Sequence, residues 1–169
     1  IDGTVKAFAA SGGSLIDINA GNFPLPACSA TLDTIRHELK DGVGFTLIHG
    51  LDVGRYDRRS QAIAYLGIGS HIGIARSQNK NGHILGHVKN LGHDYDDPQF
   101  RAYHSRNELK FHSDSCNVVG LLCLHHAKSG GEVDIKVRQL SLEQRKLSVE
   151  RTPNHRHAST PLLNIQKIN

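Results

Sequence analysis

The stretch Leu109-Lys110-Phe111-His112-Ser113-Asp114-Ser115 is where residue type and spacing together indicate chemistry. Side chains on an extended segment alternate faces with period two, so His112 and Asp114 point to the same side and can grip one metal ion. Phe111 points the other way, and the small Ser113 leaves room for further ligands. One imidazole and one carboxylate are two of the three donors of the facial triad that holds non-haem Fe(II) with positions left open. A chance pairing is the competing reading, because the chain has 12 histidines.

The surroundings favour the metal reading. Ser105-Arg106-Asn107 is polar and turn-prone, and the apolar run from Asn117 to Leu124 reads as a buried strand, a rigid support directly after the pair. His125 and His126 end that run at its exposed edge, and Ser129-Gly130-Gly131 turns the chain.

A chain of 169 residues is most simply one domain and is long enough to bury a core. It has no Met, so Ile1 is not a start site and the expectation is a processed or excerpted amino end. The formal net charge of +4 is spread out, much of it over residues 136–167. No aromatic residues interleave with the basic ones, which argues against a nucleic-acid partner. Three cysteines, Cys28, Cys116 and Cys123, form neither a disulfide framework nor a C-x-x-C zinc pattern. No apolar stretch is long enough for a membrane span. A reducing, cytoplasmic setting is the expectation.

Residues 1–30 are rich in Gly, Ala and Ser; 1–22 read as a lead-in, and Asn22-Phe23-Pro24-Leu25-Pro26 as extended. Thr31 or Asp33 is the expected cap of a helix running to Lys40, with Leu32, Ile35 and Leu39 on one side. Gly44 to Gly50 reads as a strand with Gly at both ends. A second helix starts at Asp57 or Ser60 and carries Ala62, Ile63, Tyr65 and Leu66 until Gly67 and Gly69 weaken it. Gly82 to Asn90 reads as a strand, which would place His83 and His87 on one face about 13 Å apart, too far for one ion. His93 to Pro98 is an acidic, turn-rich loop, and Tyr103-His104 leads into the Leu109 segment.

From about Phe23 to Glu132 the chain resembles the TauD/TfdA family of Fe(II)/2-oxoglutarate-dependent dioxygenases, specifically the amino-terminal half of that family. The resemblance rests on an ordered set: Gly44-Phe45-Thr46-Leu47-Ile48-His49-Gly50-Leu51, then Gly69-Ser70-His71-Ile72-Gly73, then Leu109-Lys110-Phe111-His112-Ser113-Asp114, then the apolar strand into Ser129-Gly130-Gly131. It implies an α+β, mainly β fold: a partial double-stranded β-helix, or jelly roll, with flanking helices. It also implies that His112 and Asp114 hold Fe(II), with 2-oxoglutarate as co-substrate and O2 and a small organic molecule as partners.

Two features depart from the family pattern. The hydroxyl residue that follows Gly-Gly-x in the family, usually Thr, and touches 2-oxoglutarate is Val133 here. Only 55 residues follow Asp114, fewer than the family places before its distal His and its 2-oxoglutarate Arg. The expectation is therefore a truncated or divergent form: lead-in 1–22, family-like domain 23–137, and a basic tail 138–169. Val133 to Val137, at the end of the family-like domain, alternates as one more strand would; within the tail, Ser141 to Val149 reads as a short capped helix, and the sequence beyond Arg151 is aperiodic. A third ligand from His155 or His157, with Arg151 or Arg156 as carboxylate clamp, has no periodic element to position it. A catalytically inactive binding module is the alternative reading, and a zinc hydrolase a more remote one.

Overall fold

Leu32, Ile35 and Leu39 recur at helical spacing, and in the computed structural model they form the buried face of a helix. The structure describes residues 1–79, 81–88 and 116–125, and the backbone of 163–167. In chain order it shows α1 (Asp2–Ala10), short 3-10 turns at Leu15–Asp17 and Pro26–Cys28, and α2 (Ser29–Lys40). Then follow β1 (Phe45–Ile48), a 3-10 turn at Val53–Arg55, α3 (Arg58–Ser70), β2 (Val118–Leu122) and β3 (Leu163–Lys167). The chain divides into two units, one made of Ile1–Ile74 and Ser115–Asn169, the other of Ala75–Asp114.

The first unit contains every helix and strand named above. Its core is built by α1, α2, α3 and the segments between them, with Val5, Phe23 and Ile63 fully buried. Burying side chains of this size stabilises by about 1.5–3 kcal/mol each. α1 lies in the segment read only as a lead-in, where the sequence reading named no helix. It has no side-chain cap, and what holds it is packing: Val5 and Phe8 are buried, and the Phe8 ring lies 6.4 Å from that of Phe23. The segment read as extended at Phe23 is likewise part of the core, entered through a turn knotted by Asn19 and Asn22. The Asn19 side chain accepts from Gly21 N–H at 2.9 Å, and the Asn22 side chain accepts from Asn19 N–H at 2.9 Å.

α2 starts after Cys28, so Thr31 and Asp33 lie inside it and neither caps it. Asp33 pairs instead with Arg36 one turn on. For α3 the cap is as read: the Asp57 carboxylate accepts from Ser60 N–H at 2.7 Å, which holds the Asp57 carboxyl below its usual range. The helix runs through Gly67 and Gly69 to Ser70. Gly67 is there for space, since a Cβ on it would meet the Phe23 ring at 2.3 Å.

The three strands form one antiparallel sheet in the order β1-β3-β2. β3 corrects the expectation of an aperiodic carboxy-terminal tail: its backbone pairs Ile165 with both Thr46 and Gly120, and Asn164 with both Leu47 and Leu121. Ile48, Val118 and Leu122 pack on the helical core, while Leu47 and Leu121 are 36% and 45% exposed on the other face. The apolar run of 117–124 is thus an edge strand buried on one face among the described residues, where the sequence reading had it buried throughout. Helix outweighs strand among the described residues, so for them the α+β class holds and the mainly β expectation does not. Three strands make no jelly roll by themselves.

In the second unit, residues 81–88 form no strand, contrary to the sequence reading. Local hydrogen bonds replace the ladder. The Asn79 side-chain Oδ1 accepts from Asn81 N–H at 3.0 Å and from His83 N–H at 3.3 Å, and Gln78 N–H donates to the His83 backbone carbonyl at 2.6 Å. Gly82 takes φ +80°, which a side chain would strain.

Candidate metal centre

His112 and Asp114 lie outside the described residues. So do the acidic loop at 93–98, Tyr103-His104, His126, the 129–131 turn, Val133, the strand and helix read at 133–149, and Arg151, His155, Arg156 and His157. What the structure does describe is the scaffold that follows this candidate pair in sequence. Three residues, Ser115 to Asn117, separate Asp114 from the start of β2.

β2 is fastened to α3. The Tyr65 hydroxyl donates to the Gly120 carbonyl at 2.5 Å. Burial pushes the Tyr65 phenol up to about 12, so it remains a protonated donor across the neutral range. A Cβ at Gly120 would come within 2.8 Å of that hydroxyl oxygen, so a side chain there would have to displace the hydroxyl. The sequence reading passed over this pair, although its signal was present: a Gly inside an apolar strand marks a place where something approaches the backbone closely. Thiols sit at both ends of the strand. Cys116 donates to the Val118 carbonyl at 3.4 Å and Cys123 to the His125 carbonyl at 3.5 Å. Cys28 and Cys123 carry free thiols.

The described histidines have structural roles or face solvent. His71 ends α3, and its Nε2–H donates to the Phe23 carbonyl at 2.8 Å, while its own carbonyl accepts from Arg36 at 2.7 Å. His71 therefore ties α3 to α2 and to the Phe23 turn. His49, His83, His87 and His125 are exposed. Among the described residues no three His, Cys, Asp or Glu side chains converge as a metal site would need. His112 and Asp114 fit Fe(II) by the chemistry of the donor set, one neutral imidazole and one carboxylate.

The model of the taurine catabolism dioxygenase TauD, TfdA family matches residues 7–135. The chain belongs to the TauD/TfdA family. The match reaches further toward both ends than the sequence reading of 23–132, taking in part of α1, and it spans His112 and Asp114. Two curated proteins are similar to this TauD/TfdA chain. An FR-33289 synthase of Streptomyces rubellomurinus is 27% identical over 121 residues, covering 70% of this chain and 35% of its own. A taurine hydroxylase-like protein, SAT17, of Stachybotrys chartarum is 25% identical over 138 residues, covering 78% of this chain and 36% of its own. The chain thus matches about a third of the length of these relatives. No solved structure matches it. Among the described residues no helix is long and apolar enough to cross a membrane.

Proposed function

We propose that this chain carries the His-x-Asp part of the metal site of an Fe(II)/2-oxoglutarate-dependent dioxygenase, which hydroxylates a small organic substrate with O2 in the cytoplasm. The observation that carries the reading is the position of His112 and Asp114 inside the family match, directly ahead of a strand anchored on the helical core. His112 would supply an imidazole nitrogen and Asp114 a carboxylate oxygen to the iron. When bound, that iron supplies binding positions for 2-oxoglutarate and O2. Ser113, a small residue between the two, would add little bulk there. The jelly roll implied by the family is part of the same proposal.

The test is anaerobic Fe(II) titration with and without 2-oxoglutarate, followed through the visible charge-transfer band of the ternary complex. The expected result is a co-substrate-dependent band in the unsubstituted chain that disappears in His112→Ala and Asp114→Ala. No such band would sink the reading. One observation favours a second reading, a binding module without turnover: Val133 has no hydroxyl to offer the co-substrate at the position where family members usually have Thr. For that module the titration yields metal binding that 2-oxoglutarate does not alter.

A further inference from the structure

The turn that carries Ser77, Asn81, Gly82 and His83 is held together by Asn79. Its Oδ1 accepts from Asn81 N–H at 3.0 Å and from His83 N–H at 3.3 Å, and its Nδ2 donates to Nδ1 of the His83 ring at 2.9 Å. Its backbone carbonyl accepts from the Ser77 hydroxyl at 2.6 Å and from Gly82 N–H at 3.1 Å. Inside this turn stands Asn81-Gly82, the one Asn-Gly pair of the sequence. Asn79, Asn81, Gly82 and His83 are all exposed, and a Cβ built on Gly82 would meet nothing within 4 Å. Water therefore reaches both members of the pair.

We infer that Asn81 is a site of spontaneous deamidation, with a rate set by how often the Asn79 turn opens. A backbone nitrogen that follows an Asn reaches its side-chain amide most easily when it belongs to Gly, which has no Cβ to hinder the approach. The Gly82 nitrogen attacks Cγ of Asn81: the N–Cγ bond forms, the Cγ–Nδ2 bond breaks, and ammonia leaves with the proton that Gly82 N–H gives up. Water then opens the cyclic imide at either carbonyl and leaves aspartate or isoaspartate at position 81, with nothing oxidised or reduced. In the closed turn the Gly82 N–H is committed to the Asn79 carbonyl, so attack waits for local opening. Isoaspartate adds a carbon to the main chain between Asn79 and His83. The N–H groups of residues 81 and 83 then no longer fall on one side-chain oxygen, and the change keeps the turn open.

The experiment incubates four full-length proteins in mildly alkaline buffer, folded and unfolded in urea: the unsubstituted chain, Asn79→Ala, Asn79→Asp and Asn81→Gln. Mass spectrometry of the proteolytic fragment that contains residue 81 reads the change from amide to acid, and methyl transfer by an isoaspartyl methyltransferase reads the isoaspartate. Folded Asn79→Ala is expected to convert about tenfold faster than the unsubstituted chain, because both side-chain acceptor bonds are gone. Asn79→Asp keeps oxygens for the two N–H groups and is expected to stay near the unsubstituted rate. In urea these three proteins should convert fast and alike, since the turn no longer exists. Asn81→Gln, whose longer side chain would have to close a larger ring, should yield no isoaspartate at position 81.

A folded chain that keeps its amide at position 81 while the urea sample loses it would overturn the site in the native protein. Equal folded rates for the unsubstituted chain and Asn79→Ala would overturn the gate, as would Asn79→Asp converting as fast as Asn79→Ala. Nothing in this chemistry depends on the metal site, so either result leaves the proposed function where it stands.

Discussion

Gly67 of α3 faces the ring of Phe23 with no room for a side chain: a Cβ there would lie 2.3 to 2.5 Å from three ring atoms. Phe23 is fully buried and cannot swing into solvent. Gly67→Ala should therefore destabilise the chain by about 1–3 kcal/mol through overpacking, even though Ala is the better helix former. Trimming the ring with Phe23→Leu should relieve the clash, so the double variant should lose less than the two single losses combined. Urea unfolding of the four proteins decides it, and strict additivity would mean that the two residues do not press on each other.

α2 and α3 were legible because apolar residues fall at helical spacing and Asp57 caps the second helix, information that is local. β1 was legible from Gly at both ends of a β-rich segment. α1 was not, because nothing local announces it: it has no capping side chain, and Val5 and Phe8 find their partners on segments distant in sequence. β3 was missed for the same reason, since its backbone pairs with strands far back in the chain. At 82–88 the period-two pattern lost to the hydrogen bonds of the Asn79 side chain. Near the candidate site, the strand that follows the proposed ligand pair could be read from its apolar run. Gly120 within that run signalled a close approach, but that Tyr65 makes it shows only once helix and strand are packed.

The Tyr56 hydroxyl donates to the Asp2 carboxylate, joining α1 to the turn before α3. Burial first, and the Asp2 carboxylate second, push Tyr56 up to about 12. The hydrogen bond from Tyr56 holds Asp2 below its ordinary 3.8, with Arg55 adding to it. A phenol whose folded value is raised contributes stability that is complete below its unfolded value of 10.0 and is lost as pH climbs through about 12. A depressed carboxyl contributes above its unfolded value of 3.8 and is lost as pH falls through the folded one. Stability should thus decline at both ends. Asp2→Asn should flatten the acid limb, and Tyr56→Phe should flatten the alkaline limb in part, since Tyr65 titrates in the same alkaline window. Urea midpoints measured across pH test this, and unchanged limbs in both variants would contradict it.

Leu121 and Leu122 are neighbours in sequence on opposite faces of β2, one 45% exposed and the other packed on the core. Leu122→Ala should cost about 2 kcal/mol, because the removed atoms leave a gap against the helices. Leu121→Ala should change stability by less than about 1 kcal/mol. The order of the two unfolding midpoints is the check, and a reversed order would place β2 one residue out of the register described.

Val133 gives a direct means of separating the two functional readings. If 2-oxoglutarate lies where the family resemblance implies, Val133→Thr returns a hydroxyl donor of nearly equal volume to the place where a carboxylate would accept from it. A hydrogen bond to a charged group is worth about 1.5–3 kcal/mol, so 2-oxoglutarate affinity should rise by roughly tenfold or more. The charge-transfer titration with Fe(II) reads this directly, and metal affinity without the co-substrate should stay the same because Val133 is not a proposed ligand. A band that appears only in the threonine variant would mean that the scaffold is intact and that loss of one hydroxyl accounts for a missing co-substrate. Identical titrations for both proteins would place 2-oxoglutarate elsewhere or nowhere, and would move the balance toward the binding module.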